Sequence, residues 1–266
     1  MGSAGMGATS TLGPALVVPL HDANGSSSAH LRAVTPALKA LFAGAWIGLT
    51  PTTRAAVPDY VSALEADPFF RVCSTPAAGV GVQFSTLYRA AAAGSPPDQM
   101  LHLCFLDRLA YAVTEHHATF AADIAAAGEP LPLLFQRSEA AWATHPRPYR
   151  EIEGMITRTG ALLFGQTLDF AWCHLAVRAG DLAALLPGTG AEDMSLLAEI
   201  LIALRQHVIT RDVDWLAWED PFFLGRPADE LRAERETGTE DIRKRLSYAI
   251  PMLARLYEAS QKHPSG

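Results

Sequence analysis

Asp107 and Arg108 close an apolar run, Leu101-His102-Leu103-Cys104-Phe105-Leu106, and a helical pattern follows them. The run reads as a buried strand that delivers a carboxylate and a guanidinium to its C-terminal tip. In open α/β sheets, ligands bind at such tips. Two more charged tips stand in the first half of the chain. Pro19-Leu20-His21-Asp22 ends one apolar run, and Arg137-Ser138 follows another. An acid able to hold a divalent cation, beside arginines able to hold phosphate oxygens, suits a nucleoside-diphosphate ligand. An Asp at a strand end is also a common helix N-cap, so the three tips argue together better than any one alone.

Other candidates lie outside the tips. Glu192-Asp193 opens a helical stretch after Gly188-Thr189-Gly190. Negative charge there is stabilising on dipole grounds alone, and a carboxylate at a cleft rim is also a general base for an acceptor hydroxyl. Thr144-His145-Pro146-Arg147-Pro148 is a stiff polar loop that suits a site or a plain turn. In Trp215-Leu216-Ala217-Trp218-Glu219-Asp220-Pro221, Trp218 can stack on a sugar or base face or fill core. His102 inside its apolar strand reads as a satisfied core histidine, and His116-His117 face two directions and make a poor metal pair. Cys73, Cys104 and Cys173 fit no metal spacing and read as buried thiols. No GxGxxG follows the first strand, and GxxxxGK[ST], HExxH and GxSxG are absent. Dinucleotide-binding Rossmann, P-loop, zincin and α/β-hydrolase chemistry are thereby disfavoured.

The elements that must position these groups alternate. Strands are expected at Ala15–Leu20, Ala45–Leu49, Phe69–Cys73, Leu101–Phe105 and Leu131–Phe135. Helical spacing fills the intervals, at 31–41, 58–64, 80–93 and 109–127. This order means a mostly parallel sheet covered on both faces, with right-handed crossovers placing the tips on one edge. In the second half, helices are expected at 149–164, 181–186, 192–206 and 241–261, with Pro251 kinking or splitting the last. Strands are expected at Thr167–Trp172 and, on an edge, at Val208–Trp215. The organisation expected is a frayed start over 1–12, an α/β domain over 13–225, a charged linker or lid and helix over 226–262, and a tail at 263–266.

The 266 residues carry 49% hydrophobic and 18% charged side chains, enough for one large core, and a net charge of −7. That balance argues against a broad nucleic-acid surface. The opening residues lack a secretory pattern, and no apolar stretch approaches the roughly 18 residues of a membrane span. With three cysteines and no CxxC, the expected location is the cytoplasm. The amphipathic C-terminal helix could pack across a homodimer.

From about Leu16 to Phe222 the chain resembles the GT-A glycosyltransferase superfamily, and within it a bacterial group of glycosyltransferase-like proteins. Four blocks carry the resemblance: Val17-Val18-Pro19-Leu20-His21-Asp22; Leu106-Asp107-Arg108, at the position of the Asp-X-Asp strand; Arg137-Ser138-Glu139 through Thr144-His145-Pro146; and Val213-Asp214-Trp215-Leu216-Ala217-Trp218-Glu219. Glu192-Asp193 is similar to the Glu-Asp pair of inverting members. The resemblance implies a nucleotide-sugar donor and a small-molecule acceptor. Asp193 would be the base, paired with Glu192. Asp107 would contact a Mg²⁺ or Mn²⁺ ion or the ribose and diphosphate, and Arg108 and Arg137 the phosphates. Pro19, His21, Asp22, Ser138, His145 and Trp218 complete the expected binding residues. Phe105 stands where an Asp-X-Asp motif needs its first acid, which thins the metal site. A catalytically degenerate binding or scaffold protein of a biosynthetic pathway is the alternative. Nucleotidyl transfer is a lesser one, since Ala23-Asn24-Gly25-Ser26 lacks the lysine it needs.

Overall fold

The computed structural model describes residues 13–127 and 132–262. The expectations for 1–12, for 263–266 and for Leu131 fall outside them. The seven strands are β1 (Ala15–Leu20), β2 (Gly44–Leu49), β3 (Phe70–Ser74), β4 (Met100–Cys104), β5 (Leu133–Arg137), β6 (His174–Arg178) and β7 (Ile209–Val213). The helices of the first half are α1 (Ser26–Leu41), α2 (Pro51–Ala56), α3 (Pro58–Ala66), α4 (Val80–Ala93), α5 (Leu106–Glu115) and α6 (His117–Ala126). Those of the second half are α7 (Glu139–Thr144), α8 (Arg147–Phe164), α9 (Ala179–Leu185), α10 (Ser195–Leu204), α11 (Asp220–Leu224), α12 (Ala228–Thr237) and α13 (Thr239–Lys262).

One sheet runs in the order β3-β2-β1-β4-β6-β5-β7. The β1–β2, β2–β3, β1–β4 and β5–β7 pairs are parallel, and β6 is antiparallel to both β4 and β5. Six strands therefore end at one edge, and the reversed strand β6 begins there. The chain winds from β1 towards β3 and then returns to β4 on the other side of β1. The β1–β4 boundary is thus the switch point, where a crevice opens.

Alternation along the strands feeds two cores. Leu16, Val18 and Leu20 of β1 join one with Leu31, Val34 and Leu38 of α1, and with residues of α3, α5 and α6. Ala15 and Val17 join the other with α4, α8, α10 and α13. Helices on both faces explain why strands read as unbroken apolar runs, since neither side meets water.

Four local expectations change. Thr167–Trp172 is not a strand. Leu168, Phe170 and Trp172 are apolar at alternate positions, which mimics a strand pattern, but they plug a core and pair with no ladder. The Trp172 indole instead donates to the Leu197 carbonyl at 2.9 Å. The strand follows as β6, whose apolar run, Leu175-Ala176-Val177, is only three residues between His174 and Arg178. The charged 226–238 stretch holds helix α12 rather than a linker. The expected 109–127 helix breaks at His116, whose φ of −130° ends α5 before α6 begins. Pro251 does not split α13, which runs unbroken over Thr239–Lys262. Its missing N–H frees the carbonyl of Ser247, an exposed residue that water can serve.

Gly160 of α8 faces the plug. A Cβ there would stand 2.2 Å from the Phe170 ring, which is fully buried and has nowhere to move. Gly160→Ala gains about 1 kcal/mol of helix propensity against an overpacking cost of about 1–3 kcal/mol. A net loss is expected, read as a lower guanidinium midpoint at unchanged slope.

Candidate functional site

The rim at the strand ends opens into a cavity of about 210 Å³. Phe105, Asp107 and Arg108 line it from the β4–α5 junction, Glu153 and Ile156 from α8, and Ala171 and Cys173 from the segment entering β6. Met194, Glu219 and Asp220 close one side, and Lys244, Arg245, Tyr248 and Met252 of α13 form the facing wall.

Behind that cavity lies a buried ion network. Arg137, at the end of β5, lies 5% exposed. Its Nε and Nη2 donate to Asp169 at 2.7–2.9 Å in a fork, and its Nη1 donates to Glu153 Oε2 at 2.5 Å. The guanidinium lies 3.7 Å over the Trp142 ring. Glu153 Oε1 accepts from Arg245 Nη1 at 2.6 Å, and Arg245 stacks at 3.6 Å on Tyr149. Burial acts to raise the Glu153 carboxyl, but Arg137 and Arg245 outweigh it and hold it at about 2. Two cations and two anions cancel, which is what allows them to leave water.

Arg108 is spent in a second pair. It salt-bridges buried Glu219, and its Nη1 donates to His145 Nε2 at 3.3 Å. The His145 Nδ1 sits 2.9 Å from the Ala141 carbonyl. A carbonyl only accepts, so Nδ1 carries the proton and Nε2 is bare. Burial first, then Arg108 and Arg137, press the His145 pKa well below its ordinary value, so His145 is a neutral acceptor.

No family model matches the sequence, and no curated protein matches it. A solved structure does: glucosyl-3-phosphoglycerate synthase from Mycobacterium tuberculosis, in complex with Mn²⁺, UDP-glucose and phosphoglyceric acid. The two chains share 12% identity and a TM-score of 0.50, over 92% of this chain and 80% of that one. This chain has the GT-A fold. The α/β architecture expected from its alternating elements stands, with one reversed strand added.

Around the GT-A rim the sequence-derived residues divide into four groups. Asp107 and Arg108 reach the cavity. Asp107 sits in the first turn of α5, where its Oδ1 accepts from the Arg108 backbone N–H at 2.8 Å. Arg137, Ser138, His145 and Trp218 lie beneath or beside it. Ser138 caps α7 by accepting from Ala141 N and donates to Asp214 at 2.5 Å. Trp218 is packed with Tyr149 and Leu231, with Arg232 at 5.1 Å over its ring. It is placed as core, so the stacking surface expected of it is covered.

Pro19, His21 and Asp22 sit at the β1 tip and do not line the cavity. Both Asp22 oxygens hold the start of α1, accepting from Asn24, Gly25 and Ser28 N–H groups. Burial works to raise its pKa, but those bonds win and lower it. His21 Nδ1 meets Thr50 Oγ1 at 3.1 Å. Glu192 and Asp193 precede α10 rather than open it. Asp193 is exposed, and its Oδ1 accepts from both Ser195 N–H and Ser195 Oγ–H. The loop is fixed by Gly81, whose N–H donates to the Glu192 carbonyl and whose Cβ, if present, would stand 2.5 Å from the Asp193 carbonyl.

Glu153, Asp169, Glu219, Lys244, Arg245 and Tyr248 were not singled out from sequence. Two carried a usable signal. Glu153 falls in line with Tyr149, Ile156 and Gly160, and Arg245 with Ala249, Met252 and Leu256. A charge at a stripe position is a charge aimed inward. Of the cavity's four carboxylates, Asp107 forms no ion pair among the described residues, and Lys244 is the cation without one. Asp107 thus fits a divalent cation as a single-carboxylate ligand, the arrangement Mg²⁺ uses when phosphates complete its shell.

Asp169→Asn removes half the charge that balances Arg137 and should cost about 3–5 kcal/mol. Glu153, held at about 2 against an ordinary 4.5, contributes stability that is present above pH 4.5 and lost as pH falls towards 2. Glu153→Gln should be less stable than wild type at pH 7, and the gap should narrow across that window in denaturation curves.

Proposed function

We propose that this chain binds a nucleoside-diphosphate sugar along the GT-A rim and transfers the sugar to a small-molecule acceptor. One observation carries the reading. The fold's strand ends open into a cavity whose charged lining side chains, among the described residues, are all ion-paired except Asp107 and Lys244. The similar solved chain, a synthase complexed with UDP-glucose and Mn²⁺, supports the donor class.

In this reading Lys244 takes the diphosphate charge, with Arg108 and Arg245 as ordered neighbours that raise the local potential. A Mg²⁺ or Mn²⁺ ion held by Asp107 would neutralise the departing diphosphate. Arg137 orders the floor through Asp169 and Glu153 rather than touching phosphate. A nucleotide sugar exceeds the cavity, since ordinary ligand sites run to about 300–1,000 Å³. It would extend along the rim past Pro19, His21 and Asp22. Asp193, beside the lining residue Met194, would take the acceptor proton on Oδ2, because its described hydrogen bonds all go to Oδ1.

Phe105 favours a second reading, a binding protein without turnover, because it removes one acid from the metal position and packs at 5.4 Å against Phe84.

Thermal shift with nucleotide sugars, with and without Mn²⁺, tests both. The transferase reading expects a metal-enhanced rise in Tm that Asp107→Asn abolishes. It also expects about tenfold or more weaker binding in Lys244→Ala, the scale of one charged hydrogen bond. Turnover should be lost in Asp193→Asn while binding is kept. Binding without turnover supports the second reading, and no shift with any nucleotide sugar overturns both.

A further inference from the structure

Just beneath the rim, two strands bring together side chains that the sequence leaves far apart. His102 and Cys104 are two residues apart on β4 and share a face. The antiparallel register sets Cys104 opposite His174 of β6. All three are fully buried, and one imidazole nitrogen from each histidine and the Cys104 sulfur lie within 4.8 Å of one another. His102 Nε2 and His174 Nδ1 stand 2.8 Å apart. Phe42, Phe120, Phe135 and Trp215 ring the cluster. Phe120 is edge-to-face with both imidazoles, and Trp215 lies 4.9 Å from His174.

The proton count is the difficulty. The outer nitrogens, His102 Nδ1 and His174 Nε2, have no hydrogen-bond partner. Their surroundings are aromatic faces, which can accept an N–H but can donate nothing to a bare nitrogen. The box therefore suits both outer nitrogens as N–H groups. With no ion present, one imidazole must donate to the other across the 2.8 Å contact, which leaves one outer nitrogen bare and in conflict with that box. A positive charge between them removes the conflict.

The geometry points to a buried site for one soft d¹⁰ metal ion, held by His102 Nε2, His174 Nδ1 and the Cys104 thiolate. Two imidazole ligands on one ion stand about 3.3 Å apart and a thiolate sulfur sits about 2.3 Å from the metal, so small ring movements suffice. Charge selects the ion. Cu⁺ with one thiolate and two neutral imidazoles sums to zero, whereas Zn²⁺ leaves a net positive charge in a dry core. Thiolate ligands also suit Cu⁺. Binding forms the metal–sulfur bond and releases the Cys104 proton to solvent. A site sealed in the core is loaded as the chain folds.

The test is anaerobic refolding of the full chain from denaturant with Cu⁺, with Zn²⁺ or with neither, then chelator washing and metal analysis. About one copper per chain is expected, with a higher Tm than the metal-free refold. X-ray absorption should show one sulfur and two nitrogen neighbours. Cys104→Ala, which keeps the packing, should retain no copper while matching the native circular dichroism. His174→Phe checks the second strand. Wild type that refolds natively and holds no copper overturns the site, as does undiminished copper in Cys104→Ala. Zinc retained in preference to copper overturns the charge argument.

Discussion

Arg137 leaves the end of β5 with its side chain 2% exposed, and parts of the chain remote in sequence meet on it. Asp169 comes from the segment before β6, Glu153 from α8, and Arg245 from α13 joins through Glu153. A guanidinium in that position is costly unless its donors are met in fixed directions, and the fork with Asp169 meets two of its nitrogens at once. The network therefore has one good solution. It sets where the 165–173 segment crosses the rim and where α8 and α13 stand relative to the sheet. The walls of the cavity are these same elements.

A consequence is that most charge at the rim is already committed. Arg108 is turned towards Glu219 and His145, and Arg245 towards Glu153. These pairs give rigidity, and among the described residues they leave Asp107, Lys244 and the half-buried Tyr248 of the lining outside any ion pair. A rim so arranged pre-orients its charges before any ligand arrives, which is the condition under which fixed dipoles act without reorganising. The narrowness of the cavity has the same origin, since α13 is drawn in by Arg245 as well as by Ala249, Met252 and Leu256.

What could be read from the sequence follows from where each element is buried. Strands covered on both faces, such as β1 and β4, are unbroken apolar runs and are legible. Charged residues that end them mark the rim. The α8 and α13 helices are legible by their stripes. Partner choice was not. Asp107, Arg108 and Arg137 look alike as tip residues, and only tertiary structure shows one uncommitted and the others paired. Arg137 differs because Asp169, separated from it by α7 and α8, returns to the same edge. Trp218 and His145 were equally ambiguous, since an indole or imidazole near a rim is written the same way in core and in site. The alternation of Leu168, Phe170 and Trp172 misled for a physical reason: period-two apolar spacing suits a strand but does not supply a ladder partner.

The reversed strand explains why the rim and the histidine cluster occur in one molecule. Were β6 parallel to its neighbours, it would begin at the opposite edge. The segment that precedes it would then carry Asp169 away from Arg137. Reversal brings Asp169 to the rim, and in the same register it sets His174 across from Cys104. The two features share β6 but lie on different sides of the problem. The ion network balances four charged groups near water, whereas the imidazole pair sits fully buried in an aromatic box. A change in the register of β6 by one residue would turn His174 to the other face and shift Asp169 along the edge. The strand is thus held at its start by polar groups that tolerate no slip, a constraint that suits five residues forming an interior strand of a seven-stranded sheet.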